Sequence, residues 1–178
     1  MAGFLGVIFT SAWRAEDVFR EIAQGFGPLG LKSLVYDFEL TDYYEHEMGK
    51  NLSRVFCALP GLVPADRMLT VRDRARAIES VLSLHGRRTV NLDPGYLDAF
   101  KVVLLSDKYS GRKIYVGQGC YADVTLEFDS GRWRSVRRAF PDFRHDRYHS
   151  YFLELRQHYL RELKDGARRA TEAYPGGS

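Results

Sequence analysis

An unbroken apolar run from Phe4 to Phe9 predicts a strand buried on both faces, and the spacing then changes character. Over 15–26, Val18, Phe19, Ile22, Ala23 and Phe26 recur on one side of a helix, which GFGPLG (Gly25 to Gly30) ends. Leu34, Tyr36, Phe38 and Leu40 alternate with polar residues as a half-buried strand does, and Arg54 to Leu59 reads as the next strand. A helix is predicted from Thr70 to Leu84, with Ala75, Ile78, Val81 and Leu82 inward and Thr70 and Asp73 as a capping-box-like start. Thr89 to Leu92 and Val102 to Leu105 return to strand, so the order is βαββαβ.

Beyond this point the period shortens. Lys113 to Val136 reads as a three-stranded meander with turns at GQG (Gly117 to Gly119) and DSG (Asp129 to Gly131). Alternation there sends Ala122, Val124, Leu126 and Phe128 to the core, and Asp123, Thr125 and Glu127 to a face where Arg132 or Arg134 can neutralise the acids. The last element, Asp146 to Lys164, carries Tyr148, Tyr151, Phe152, Leu155, Tyr159 and Leu163 on one stripe and is expected to stop at Gly166. The expected fold is α+β with a mainly antiparallel sheet: a ferredoxin-like βαββαβ core, extended by the meander and a C-terminal helix. It forms one domain over 1–166, with 167–178 as a flexible tail.

Composition adds limits. The chain of 178 residues is long enough for one substantial core. Its apolar stretches are too short to span a bilayer, and its two cysteines, Cys57 and Cys120, show no metal or disulfide spacing, so cytoplasmic residence is expected and no membrane partner. The net charge of +3 hides an asymmetry, since residues up to Asp66 hold five Lys/Arg against nine Asp/Glu. Much of the later basic excess sits in Arg132, Arg134, Arg137, Arg138, Arg144 and Arg147, interleaved with Trp133, Phe140 and Phe143. That mixture suits phosphate contact and base stacking, so an RNA-binding module is one alternative function; a scaffold without a pocket is another.

Two familiar motifs fail on physical grounds. GFGPLGLKS (Gly25 to Ser33) looks like a phosphate-binding loop, but Leu31 intrudes before Lys32, and the segment follows a helix and enters a strand. A phosphate-binding loop needs the reverse order, so that backbone amides and a helix N-terminus face the anion. HDRYH brings His145 and His149 to adjacent turns, yet two imidazoles do not complete a metal site, and no third ligand is nominated.

Two other segments survive. In RRTVNLDPGYL (Arg87 to Leu97), Pro94 and Gly95 suit the centre of a type II turn, flanked by Asp93 and Tyr96. Arg88, Asn91 and the nearby Lys101 supply more charge and hydrogen bonding than a turn requires. TDYYEHEMG (Thr41 to Gly49) adds Asp42, Tyr43, Tyr44, Glu45 and Glu47 beyond a strand end. The leading expectation is a small enzyme or ligand-binding protein for a phosphate-bearing or otherwise anionic small molecule. Arg88, Lys101 and Lys108 would hold the anion, and Asn91, Tyr44 and Tyr96 would orient the ligand. Asp93, Glu45 and Glu47 would supply acid/base chemistry or hold a divalent cation. Both segments should then meet at one edge of the sheet.

TDYYEHEMG, RRTVNLDPGYL, the SDK of Ser106 to Lys108, KIYVGQGCYADVTLEF and the FPDFR of Phe140 to Arg144 resemble, in this order, a bacterial family known as domain of unknown function four-four-one-six. The resemblance implies no established activity, although some members carry an automatic label of GTP-binding protein. The family pattern places a His-Arg pair where this chain has Arg112 and Lys113, and a tyrosine where it has Phe140. No imidazole or phenol is therefore at hand for a role at those places.

Overall fold

The computed structural model of the chain describes residues 1–39 and 43–173. Strand β1 (Ala2–Phe9) is buried at every position because strands flank it on both sides and helices cover both of its faces. Leu5, Val7 and Phe9 point into one layer and Phe4 and Ile8 into the other, as the two-residue period dictates. Helix α1 (Ala15–Phe26) lays Val18, Phe19 and Ile22 on the first face. β2 (Tyr36–Phe38), α2 (Glu45–Met48) and β3 (Leu52–Leu62) follow, then α3 (Met68–Val81), β4 (Val90–Leu97) and β5 (Lys101–Ser106). The meander is β6 (Ile114–Gly117), β7 (Cys120–Asp129) and β8 (Arg132–Ser135), before the long α4 (His149–Ala173).

These strands form one eight-stranded antiparallel sheet in the order β2-β3-β1-β4-β5-β7-β6, with β8 beside β7. α1 and α3 cover one face. Tyr148, just ahead of α4, and Tyr151, Phe152 and Leu155 of that helix cover the other, packing on Phe4 and Phe56. The fold is thus α+β, three layers deep. Among the described residues no helix is long and apolar enough to cross a membrane.

Several expected boundaries move, each for a physical reason. The strand expected around Leu34 to Leu40 is only Tyr36–Phe38; Leu34 is 77% exposed, and Leu40 lies outside the described residues. α3 starts at Met68, after a 3-10 turn at Ala65–Arg67, so Thr70 sits inside the helix rather than capping it; Val81 ends the helix with its side chain exposed. α4 runs through Gly166 to Ala173, so the expected stop at Gly166 is corrected; 174–178, the end of the expected tail, lie outside the described residues. One glycine seven residues beyond Tyr159 costs a helix only about 1 kcal/mol, too little to break it. In β7 a bulge opposite Val102 and Val103 breaks the alternation, so that Asp123, Thr125 and Leu126 are all buried. Arg112, not Arg132 or Arg134, pairs with Asp123, while Arg134 pairs with Asp129.

The most consequential correction concerns Pro94 and Gly95. They do not form a turn: both lie inside β4, opposite Leu5 and Phe4 of β1. The turn comes later, where the Asp98 side chain accepts hydrogen bonds from the amides of Phe100 and Lys101. Gly95 is needed because a Cβ there would stand 2.4 Å from the Phe4 ring and 2.7 Å from the Val103 carbonyl oxygen. Pro94 is tolerated because β4 pairs with β5 only over Gly95 to Leu97, opposite Leu104 to Val102. From Pro94 back to Val90 the two strands part, and a proline without an N–H leaves no ladder bond unmade.

Candidate functional site

The parting of β4 from β5 opens a cavity of about 630 Å³ that passes through the plane of the sheet. On the side of α3 it is lined by Arg72, Arg76 and Glu79. On the opposite side lie Arg54, Asp142 and Phe143, and between them stand Asn91 and Asp93 of β4 facing Ser106, Lys108 and Lys113. Tyr43 and Tyr44, just before α2, close one end, and Phe140 and Pro141 the other. Among the described residues six cationic side chains meet four carboxylates around its wall, a positive excess.

Arg54 anchors the floor. It is inserted in β3 on the face shared by Leu52, Phe56 and Ala58, and its side chain is 3% exposed. Nη2 donates to Asp93 Oδ2 at 3.2 Å, and Nη1 lies 3.0 Å from Asp142 Oδ2, an ion pair outside hydrogen-bond geometry. Burial works against the guanidinium charge, but Asp142 and Asp93 outweigh it and hold the group protonated. The rings of Phe56, Phe143 and Phe38 stand 5.0, 5.4 and 5.5 Å from its centre. Gly6 on β1 makes the room, since a Cβ there would lie 2.6 Å from Nη2. Burial pushes the Asp142 carboxyl above its usual range, against the pull of Arg54.

At the parted edge, the Leu92 amide has no strand to pair with and donates to Glu79 Oε1 at 2.5 Å. Arg88 bridges Glu79 at 3.2 Å and Glu47 at 3.3 Å, tying α3 and α2 across the cavity, with its guanidinium 5.9 Å from the Tyr44 ring. Burial raises Glu79 to about 7, although the Leu92 amide and Arg88 both favour its anion. Across the gap, Lys113 Nζ donates to Ser106 Oγ at 2.9 Å and to the Lys108 carbonyl at 3.0 Å. Lys108 Nζ lies 4.0 Å from the Tyr43 ring. Among the described residues neither lysine has a carboxylate within ion-pair distance, and burial lowers the pKa of Lys113.

The two segments singled out in the sequence therefore share one cavity, and Asp93, Arg88, Asn91, Tyr44 and Lys108 line it. Glu47 holds Arg88 at the rim, whereas Glu45 is exposed and does not line the wall. Asp42 lies outside the described residues. Lys101 and Tyr96 are elsewhere. Lys101 opens β5 at the far end from Ser106, about 17 Å away by strand rise, and pairs with Asp98. Tyr96 points to the layer of α1 and α3. Asp93, Glu45 and Glu47 do not converge on a common point, and among the described residues no group of three or more His, Cys, Asp or Glu side chains is arranged to hold a metal ion.

Asp142 and Lys113 fall inside the FPDFR and KIYVGQGCYADVTLEF motifs but had no role assigned there, and Arg54 and Glu79 lie outside every motif. Only Arg54 left a trace: it is the one charged residue among Leu52, Phe56 and Ala58 at alternate positions. In the basic segment, Trp133 and Phe143 are core residues, so those rings offer no stacking surface. The amides of Gly30 and Ser33 are bonded to the Ala58 and Phe56 carbonyls, so Gly25 to Ser33 presents no amide cradle.

No curated protein and no solved structure matches the chain. The model of a family described as domain of unknown function (DUF4416) matches residues 1–159, and the chain belongs to that family.

Proposed function

We propose that the chain is a ligand-binding protein or enzyme whose ligand is a phosphate-bearing or otherwise anionic small molecule, held in the cavity between β4 and β5. The observation that carries this reading is the pair Lys108 and Lys113, two cations on one wall of a large cavity with no carboxylate in ion-pair range among the described residues. A structural network pairs its charges at contact distance, as Arg54 does with Asp93 and Asp142; Lys113 feels Asp123 and Asp93 only from beyond ion-pair range, which supports reading the two lysines as available to an anion. A volume of about 630 Å³ suits a metabolite-sized molecule, and Tyr43, Tyr44 and Phe140 supply apolar surface for its uncharged part.

Arg88 would join the lysines in holding the anion, and Asn91 and Tyr44 would orient the rest. Asp93, engaged by Arg54 and Asn91, fits an orienting role better than proton transfer. The strand order β4-β1-β3-β2, with α1 and α3 in the two crossovers, supports a ferredoxin-like reading of residues 2–97. Cytoplasmic residence belongs to the same proposal, supported by the buried free thiols of Cys57 and Cys120.

The test is thermal denaturation with inorganic pyrophosphate, sugar phosphates and nucleotides. A true ligand at a hundredfold its Kd adds about 2.7 kcal/mol to the folded state. The expected result is a raised Tm for the native sequence and none for Lys108→Ala/Lys113→Ala. Absence of any shift across the panel, or an equal shift in the double variant, overturns the reading.

A further inference from the structure

Glu79 stands at the parted edge of β4, where it accepts from the Leu92 amide, and it shares its cation with a second acid. Arg88 is divided between Glu79 inside and Glu47 at the rim. Its side chain lines the cavity and is 28% exposed, so an incoming anion can reach the guanidinium from that side. We infer that an anion bound in the cavity draws Arg88 away from Glu79, and that Glu79 takes up a proton as it does so, becoming the acid of the site. This rests on the anion-site reading above.

The groups facing Glu79 set the balance. From its own helix comes Arg76, and from the segment before β4 comes Arg88. β4 contributes the Leu92 amide and the Asp93 carboxylate, and α2 contributes Glu47 acting through Arg88. Tyr44 is half-buried, and desolvation keeps its phenol neutral, while Lys108 and Lys113 lie on the facing wall. Arg76 is already taken by Asp107. Once Arg88 turns to a ligand, Glu79 is left beside Asp93 and a new negative charge in a partly desolvated place, where the neutral acid is the stable form. Burial already brings it to about 7 before any anion arrives.

Both existing hydrogen bonds fall on Oε1, so a proton on Oε2 leaves the Leu92 bond in place. The proton comes from solvent; the only covalent bond made is the O–H of the carboxylic acid.

Sulfate is a suitable probe because it does not titrate near neutral pH. Calorimetric titration of the full chain with sodium sulfate, in two buffers of different ionisation heat, counts the protons taken up. Native protein is expected to take up a proton at pH 7.5, and its sulfate Kd to rise by up to about tenfold per pH unit above pH 7. Glu79→Gln, which keeps an acceptor for the Leu92 amide, is expected to bind with no uptake and a flat profile. Sulfate binding without uptake in the native protein, or an unchanged slope in Glu79→Gln, overturns this inference alone. Failure of sulfate to bind at any pH overturns the anion site with it.

Discussion

Arg54 and Asp142 meet at 3.0 Å with side chains only 3% and 4% exposed, and the same guanidinium also serves Asp93. Removing the cation leaves a nearly buried acid, Asp142, and a partly buried one, Asp93, without their partner. Arg54→Met is expected to cost about 3–5 kcal/mol by urea denaturation at pH 7. Adding Asp142→Asn to that variant should recover part of the loss. A cost below about 1 kcal/mol for Arg54→Met would mean that the three groups are far better hydrated than their burial indicates.

Pro94 and Gly95 are neighbours with opposite tolerances. Gly95→Ala pushes a methyl into the Phe4 ring and the Val103 carbonyl, one of them main chain that cannot step aside, and should destabilise by about 3 kcal/mol or force the short β4–β5 ladder apart. Pro94→Ala adds an N–H facing the cavity and should change stability by less than about 1 kcal/mol. If thermal melting ranks the two variants the other way, the strand assignment of this dipeptide is wrong.

Glu79 gives stability a pH signature. Its ordinary value of 4.5 rises to about 7 in the folded chain, so the folded protein favours the neutral acid. Stability from this group is full below pH 4.5, declines as pH rises to 7, and is flat beyond. With a side chain 17% exposed, the decline should reach about 3 kcal/mol at most. The difference in unfolding free energy between native protein and Glu79→Gln, followed from pH 4.5 to 8, isolates it; a difference that does not vary with pH would refute the assignment.

Trp133 and Phe143 lie in the core, so an RNA ligand cannot stack on them without unfolding that layer. Trp133 fluorescence, read in a Trp13→Phe background, should be unaffected by single-stranded RNA at low salt. Quenching that disappears in Arg137→Ala/Arg138→Ala would revive the basic segment as a platform.

Much of the fold was legible because local period and burial agree. The run at Phe4 to Phe9, the helical stripe from Val18 to Phe26 and the glycine turns at Gln118–Gly119 and Ser130–Gly131 all appear where spacing and turn chemistry put them. Pro94–Gly95 was misread because the preference of this pair for turns is a local signal, whereas its place in β4 depends on where β5 departs and where Phe4 points. The site was half legible for the same reason. Arg88, Asn91 and Asp93 are close in sequence to the feature that positions them, but Glu79 and Lys113 reach the cavity from α3 and from the start of the meander, through tertiary packing that no spacing encodes.

The gap beside β4 has a chemical consequence for how selectivity would be inherited. By strand alternation the Leu92 carbonyl turns the same way as its amide, toward the open space, while the Pro94 carbonyl faces β5 where the ladder opens at Gly95 and Leu104. A ligand hydroxyl or amide set against the Leu92 oxygen would gain affinity from a peptide group, which every amino acid at this position supplies. Alanine scanning would under-report such recognition. A chemical scan of the ligand, deleting its donors one at a time, would reveal it, and relatives with different side chains at Leu92 could keep the same preference unchanged.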